Sequence, residues 1–105
     1  MATGGTRLHD PAGRLITIHG ILSYMMQQPT YTEKQGQYLA FIYYYTKING
    51  QPPAEADMQR YFRTTPPTVH QMILKFEERG FIARRAGQAR SITVLLLPEQ
   101  LPPLQ

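Results

Sequence analysis

The chain has 105 residues, of which 42% are hydrophobic and 17% are charged, so it can form one domain around one modest core. Eleven Lys and Arg residues against seven Asp and Glu residues give a formal charge of +4, which suits an anionic partner without identifying one. There are no cysteines, which excludes disulfides, cysteine-based zinc sites and thiol nucleophiles.

Residues 1–30 are expected to be a leader, with a short extra helix as one interpretation of its apolar part. Apolar side chains recur there at helical spacing, at Leu15, Ile18, Leu22 and Met25. Gly20 weakens that helix, and residues 15–18 fit an extended conformation equally well. The apolar run is too short to span a bilayer and no small-residue cleavage site follows it. We therefore expect no membrane contact and a cytoplasmic protein.

The next segment predicts a helix over residues 32–49. Thr32 followed by Gln35 is a capping-box pattern, in which each side chain accepts a hydrogen bond from a backbone amide at the helix start. Gly50 suits the position just after the helix end. The apolar stripe comprises Tyr38, Leu39, Ile42 and Tyr45, and the neighbouring aromatic residues Phe41, Tyr43 and Tyr44 face several directions.

Two further helices are predicted, over residues 54–62 and 66–79, with a turn at residues 63–65. In the first of them, Met58, Tyr61 and Phe62 are expected to point inward. Thr65 suits the N-cap of the second, and Pro66 suits its first position because the missing amide hydrogen is not needed there. The second helix has apolar residues at i, i+3, i+4 and i+7, namely Val69, Met72, Ile73 and Phe76.

Residues 81–85 and 91–97 predict two β-strands joined by a hairpin loop that contains Gly87. Pro98 ends the second strand, and residues 99–105 are expected to form a flexible tail. The order of elements predicts a mainly α fold with a small β-hairpin, which is a winged helix-turn-helix domain over residues 31–98.

The outward side of the helix over residues 66–79 is polar and points to duplex DNA. A helix fits the major groove, and the residues of its N-terminal half can reach base edges. Gln71 can donate and accept in one plane, which suits adenine, and Thr68 offers a hydroxyl or a methyl group. Lys75 can reach a phosphate or a guanine. The candidate DNA contacts on this helix are Thr65, Pro67, Thr68, His70, Gln71 and Lys75.

The hairpin, or wing, is the second cationic feature. No acidic residue occurs between Arg79 and Pro98. Arginines here can bind backbone phosphates, and a hairpin tip can also enter the minor groove. The candidate DNA contacts of the wing are Arg84, Arg85, Gln88 and Arg90.

Four stretches together resemble the N-terminal DNA-binding domain of the LexA repressor family: TEKQGQYLAFI, GQPPAEADMQRYF, TPPTVHQMILKFEERGFI and GQARSITVLL. The most specific parts are the Gly-x-Pro-Pro before the second helix, the Glu-Arg-Gly-Phe-Ile that closes the third, and the Gly-x-x-Arg of the wing. The resemblance implies a bacterial transcription regulator with DNA contacts at Thr65, Pro67, Thr68, His70 and Gln71.

This chain departs from the family in two places. Ala54 replaces the usual capping hydroxyl before the second helix, and Pro67 occupies the place of a polar reader. The family's self-cleaving domain uses a Ser–Lys pair in a second domain, whereas the serines here are Ser23 and Ser91. We therefore expect no autoproteolysis. Because Pro67 replaces a polar reader, the family's operator sequence cannot be assumed for this chain.

Enzymatic chemistry is not expected, because no nucleophile, base and orienting group can be assembled from these residues. The three histidines lack metal spacing, so no metal, cofactor or small-molecule ligand is expected. Asp57, Glu55, Glu77 and Glu78 are interpreted as solvated surface charges.

The alternative function is a protein-interaction module, because winged helices are reused as adaptors, and the exposed tyrosines and the apolar N-terminal segment could form a contact surface. A homodimer is compatible with either function. A single small domain reads few base pairs, and many helix-turn-helix proteins bind DNA as two-fold dimers.

Overall fold

The computed structural model describes residues 29–105 and two short strands, Leu8–His9 and Leu15–Ile16. The chain forms two compact units, Met1–Thr30 and Tyr31–Gln105. In chain order the elements are β1 (Leu8–His9), β2 (Leu15–Ile16), α1 (Glu33–Asn49), α2 (Glu55–Phe62), α3 (Pro66–Glu78), β3 (Ile82–Ala83), β4 (Thr93–Val94) and a 3-10 turn at Pro98–Gln100.

The first unit contains an antiparallel pair, in which Leu8 lies opposite Ile16 and His9 opposite Leu15. The extended alternative is therefore the observed one for Leu15 and Ile16. The other positions of the extra helix considered from the sequence, Ile18, Leu22 and Met25, lie outside the described residues.

Helix α1 begins and ends as the sequence predicts. The Thr32 hydroxyl accepts from the amide of Gln35 at 3.1 Å, and the Gln35 side chain accepts from the amide of Thr32 at 2.9 Å. Gly50 adopts the left-handed conformation, with φ of 76°, and its amide donates to the carbonyl of Thr46. These caps satisfy backbone groups that the helix itself leaves unpaired.

The core of the second unit lies between α1, α2, α3 and the wing. Tyr38 of α1 stacks on Phe62 of α2 with ring centroids 4.0 Å apart. The buried apolar side chains are Tyr38, Leu39, Phe41, Ile42, Met58, Val69, Ile73, Phe76, Phe81, Ile82 and Ile92. The predicted stripe on α3 is confirmed, with Met72 half-buried at its margin. The inward placement of Tyr61 is wrong, because that side chain lies at the rim of the core and is 45% exposed.

A tight turn connects α2 to α3. Arg63 ends α2 in the left-handed conformation, with φ of 53°. Thr65 is the N-cap of α3 and Pro66 is its first residue, as predicted. The Thr65 hydroxyl lies 2.9 Å from the Thr68 hydroxyl and caps no backbone amide. This short connection brings α3 to pack against α2, which the helix-turn-helix arrangement requires.

The strands of the wing are shorter than the sequence predicts. β3 and β4 pair Ile82 with Val94 and Ala83 with Thr93. Beyond them, the Ser91 hydroxyl replaces backbone pairing, because it accepts from the amide of Arg85 at 3.0 Å and donates to the carbonyl of Gln88 at 2.9 Å. The hairpin of the predicted fold class is nevertheless present, so the winged helix-turn-helix class is confirmed.

Residues 98–105, which include the segment expected to be a flexible tail, lie against α1. The Tyr31 hydroxyl donates a hydrogen bond to the carbonyl of Gln100. The Gln37 side chain donates to the carbonyl of Pro103 and accepts from the amide of Gln105. A Cβ at Gly36 would lie 2.7 Å from the Tyr31 ring and 3.0 Å from Pro102, so a larger residue at position 36 would displace the Tyr31 ring. No helix in the described part of the chain combines the length and apolarity that crossing a membrane requires.

Two tyrosine hydroxyls predict opposite effects on stability. The Tyr38 hydroxyl is buried without a hydrogen-bond partner among the described residues, and burial raises the pKa of this phenol. We expect Tyr38→Phe to raise the free energy of unfolding by up to ~1 kcal/mol, because it removes an unsatisfied polar group. Tyr31→Phe, which loses the bond to Gln100, should lower it by about 1 kcal/mol. Urea unfolding measures both, and a larger loss for Tyr38→Phe would contradict the assignment.

Candidate nucleic-acid interface

One side of α3 is polar and open to solvent. Pro67, Thr68, Gln71 and Lys75 are all exposed, and they line one shallow groove. Residues three and four apart share one side of a helix, so these four form a continuous strip. We call this strip the polar face of α3. The structure thus brings together four of the six helix residues that the sequence singled out.

The other two candidates on α3 lie beside the polar face. Thr65 is exposed at the N-cap, where its hydroxyl contacts that of Thr68. His70 is exposed and turned toward α2, with its Nδ1 atom 3.4 Å from the carboxylate of Glu55. His70 therefore has an acidic partner available, which none of the other candidates on α3 has among the described residues.

The first turn of α1 borders the same groove. Gln35 lines it together with the polar face of α3, while its side chain also caps α1. From the sequence, Gln35 is expected only to cap α1. A cap pattern fixes where a helix begins, but it carries no information on which other helix lies beside that end.

The candidate residues of the wing differ in their surroundings. Arg85 is exposed, and its guanidinium has no ion-pair partner among the described residues. Gln88 is exposed in the loop, with its carbonyl held by Ser91. Arg84 is only 19% exposed at its side chain, and its Nε atom lies 3.2 Å from the carboxylate of Glu77.

Arg90 is engaged with the helical core. Its Nη1 atom lies 3.0 Å from the carboxylate of Asp57, 3.2 Å from the Tyr45 hydroxyl and 3.3 Å from the carbonyl of Pro52. Arg90 is among the DNA contacts expected from the sequence, because a cationic residue on a hairpin gives no sign of an intramolecular partner far away in the chain.

The expectation that Asp57 is a solvated surface charge is wrong. Its side chain is only 9% exposed, and its carboxylate accepts from the amide of Ala54 at 2.8 Å. It also forms ion pairs with Arg60 and Arg90. The amide of Ala54 is the main cause that lowers the pKa of Asp57, with smaller contributions from the two arginines. Asp57 thereby caps α2 from inside the helix, which explains how α2 begins without a capping hydroxyl at Ala54.

Glu55 and Glu77 also have partners, in His70 and Arg84 respectively. Among the described residues, no cluster of three or more His, Asp or Glu side chains could hold a metal ion.

Asp57 predicts a specific dependence of stability on pH. Because its pKa is lowered on folding, its contribution is complete above the ordinary carboxyl pKa and is lost as the pH falls through the lowered value. We expect Asp57→Asn to cost about 2 kcal/mol of unfolding free energy at neutral pH, from a lost cap and lost charge-assisted bonds. The difference from the unsubstituted protein should shrink below about pH 4.

Chemical unfolding at a series of pH values measures this difference. Glu78→Gln is the matched control, since Glu78 is exposed near the end of α3, and it should change stability by less than about 0.5 kcal/mol. A constant cost of Asp57→Asn down to the lowest pH would contradict the assigned role.

Comparison with known proteins found similar sequences among bacterial repressors. No family model matches the chain. It is similar to the LexA repressor of Thermosipho melanesiensis, with 34% identity over 70 residues, which is 67% of this chain and 35% of that protein. The LexA repressor of Thermosipho africanus is 35% identical over 68 residues, covering 65% of this chain and 34% of that protein.

The chain spans about a third of the length of these curated relatives. The matched length is close to that of the unit Tyr31–Gln105, in which three helices are followed by an antiparallel hairpin. Similarity and architecture therefore agree: the chain carries a winged helix-turn-helix domain that resembles the N-terminal DNA-binding domain of the LexA repressors.

Proposed function

We propose that this protein is a transcription regulator that binds duplex DNA, with α3 in the major groove and the wing on the phosphate backbone. The observation that carries the proposal is the exposed polar face of α3, which ends on Lys75 and is followed by a wing that presents Arg85. The similarity to LexA repressors supports it.

The side chains of the polar face suit base readout in different ways. Gln71 can form two hydrogen bonds with adenine, and Thr68 can contact a thymine methyl group or donate its hydroxyl. Pro67 has no polar side-chain atom, so its contact with a base would be apolar. Lys75, one turn further on, can reach a guanine or a phosphate. Thr65 and His70 border this set and remain candidates for backbone contacts.

The wing contributes charge and not base recognition. Arg85 is exposed and can bind a phosphate without breaking an ion pair among the described residues. Gln88 is exposed in the same loop and can donate to phosphate or sugar oxygens. Arg84 would first have to leave Glu77, so we assign it a smaller part.

Salt dependence tests the electrostatic half of the proposal. Binding that neutralises about three to six phosphates should give a log–log slope near −0.9 per phosphate in fluorescence-anisotropy titrations. Arg85→Ala should make the slope shallower by about 0.9. Lys47→Ala, at the opposite end of α1 from the groove, should leave it unchanged. Absence of duplex binding at low salt would overturn the proposed function.

Base recognition is tested by selecting bound fragments from a random duplex library. Gln71→Ala should relax the preference at one base pair by about 1–3 kcal/mol, or roughly 5- to 150-fold, with little change in the salt slope. Gln51→Ala, an exposed substitution in the loop before α2, is the control and should leave the selected sequence unchanged. A two-fold symmetric consensus would indicate a homodimer, and an unchanged preference for Gln71→Ala would remove Gln71 from the readout.

A protein-interaction module is the second candidate function. Ile48 is 80% exposed and Leu95 and Leu97 are each 55% exposed, so these large apolar side chains are available for contact with another protein. Charge reversal at Lys75 and Arg85 separates the two functions, because it would abolish DNA binding and leave an apolar contact intact.

A further inference from the structure

The loop of the wing, residues 84–91, has little apolar support. Its residues from Arg85 to Arg90 are all exposed. A groove of about 320 Å³, lined in part by Pro53, Ala54 and Gly87, lies between this loop and the start of α2. Packing therefore does not hold the loop against the helices, and its position depends on polar contacts.

Apart from the pair of Arg84 with Glu77, Arg90 supplies these contacts, and it does so from a single atom. Its Nη1 reaches Asp57 in α2, Tyr45 in α1 and the carbonyl of Pro52 in the loop between them. The partner carboxylate is itself fixed, because Asp57 is nearly buried and accepts from the amide of Ala54. The wing loop is thus tied to a rigid point of the helical core.

The backbone conformation of Arg90 also helps to fix the position of the wing loop. Arg90 has φ of 56°, in the left-handed region that residues other than glycine and asparagine rarely adopt. The next residue is Ser91, whose hydroxyl bonds to the backbone of Arg85 and Gln88. The conformation of Arg90 therefore sets where Ser91 lies, and Ser91 holds the backbone of Arg85 and Gln88, which are two of the exposed candidate DNA contacts.

We propose that Asp57 and Arg90 form a latch that positions the wing for DNA, so that Arg90 is a positioning residue and not a phosphate contact. The proposal rests on the proposed function, since the wing it positions is the one that meets the duplex. The latch also predicts a change in DNA affinity that is opposite to the ordinary electrostatic effect. Removing an anionic side chain near a DNA-binding surface ordinarily strengthens binding to a polyanion. The latch requires that removal of the Asp57 carboxylate weakens it.

The first experiment uses Asp57→Asn in the full chain, which leaves every tryptic site of the wing in place. Native-state trypsin digestion read by mass spectrometry should show cleavage after Arg84 and Arg85 at least roughly tenfold faster than in the unsubstituted protein. Duplex affinity should fall by about tenfold under identical salt. Glu55→Gln removes a carboxylate from the same end of α2 without touching Arg90, and should leave cleavage unchanged and affinity equal or higher.

The second experiment does not depend on the capping role of Asp57. Arg90→Gln keeps the bond between Asp57 and Ala54, so α2 stays capped. In that background Arg85→Ala should change the salt slope by less than about 0.3, against about 0.9 in the unsubstituted protein, because Arg85 is already displaced. Additive changes in slope would make Arg90 a phosphate contact and overturn the latch.

The experiments distinguish failure of the latch from failure of the proposed DNA-binding function. If the unsubstituted protein binds no duplex, the proposed function is overturned, while trypsin protection of the wing still decides whether Asp57 holds it. If duplex binding is present and Asp57→Asn changes neither wing cleavage nor affinity, the latch alone is overturned.

Discussion

Burial of Val69, Ile73 and Phe76 fixes the rotation of α3, and the candidate interface depends on that rotation. These three side chains are fully enclosed between α1, α2 and the wing. Because a helix is rigid about its own axis, the opposite side is then directed to solvent. A turn of the helix by one residue would place Thr68 and Lys75 in the core, where an unpaired hydroxyl and an unpaired ammonium group are costly. The apolar stripe thus determines which polar side chains can meet a ligand.

A second constraint is the set of contacts made by Asp57, which connect α2 with the wing. Asp57 caps α2, pairs with Arg60 and holds Arg90, so one carboxylate connects a helix start with the base of the wing. Its low exposure strengthens these contacts, because a nearly buried ion is less screened by water and salt. The cationic residues of the wing therefore divide into Arg84 and Arg90, which have acidic partners inside the molecule, and Arg85, which has none among the described residues.

Much of this fold could be predicted from the sequence, because the signals for it are local. The Thr32–Gln35 cap, Gly50 and the stripe on α3 each lie within one element, and the structure confirms all three. Asp57 and Arg90 could not be predicted, since their contact joins residues 33 positions apart and neither residue type signals it. The same holds for Gln35 beside α3, and for residues 99–105, whose prolines indicate a lack of helix but not the surface they contact.

The two prolines that open α3 have a consequence for how phosphates can be approached. Helix starts commonly bind anions through a cluster of unpaired amides. Pro66 and Pro67 carry no amide hydrogen, and the amide of Val69 already donates to the carbonyl of Thr65. The α3 terminus thus keeps the favourable dipole but offers almost no donors to an oxyanion. Under the proposed function, contacts between this end of α3 and the phosphate backbone would therefore come from flexible side-chain ammonium and guanidinium groups rather than from fixed backbone amides.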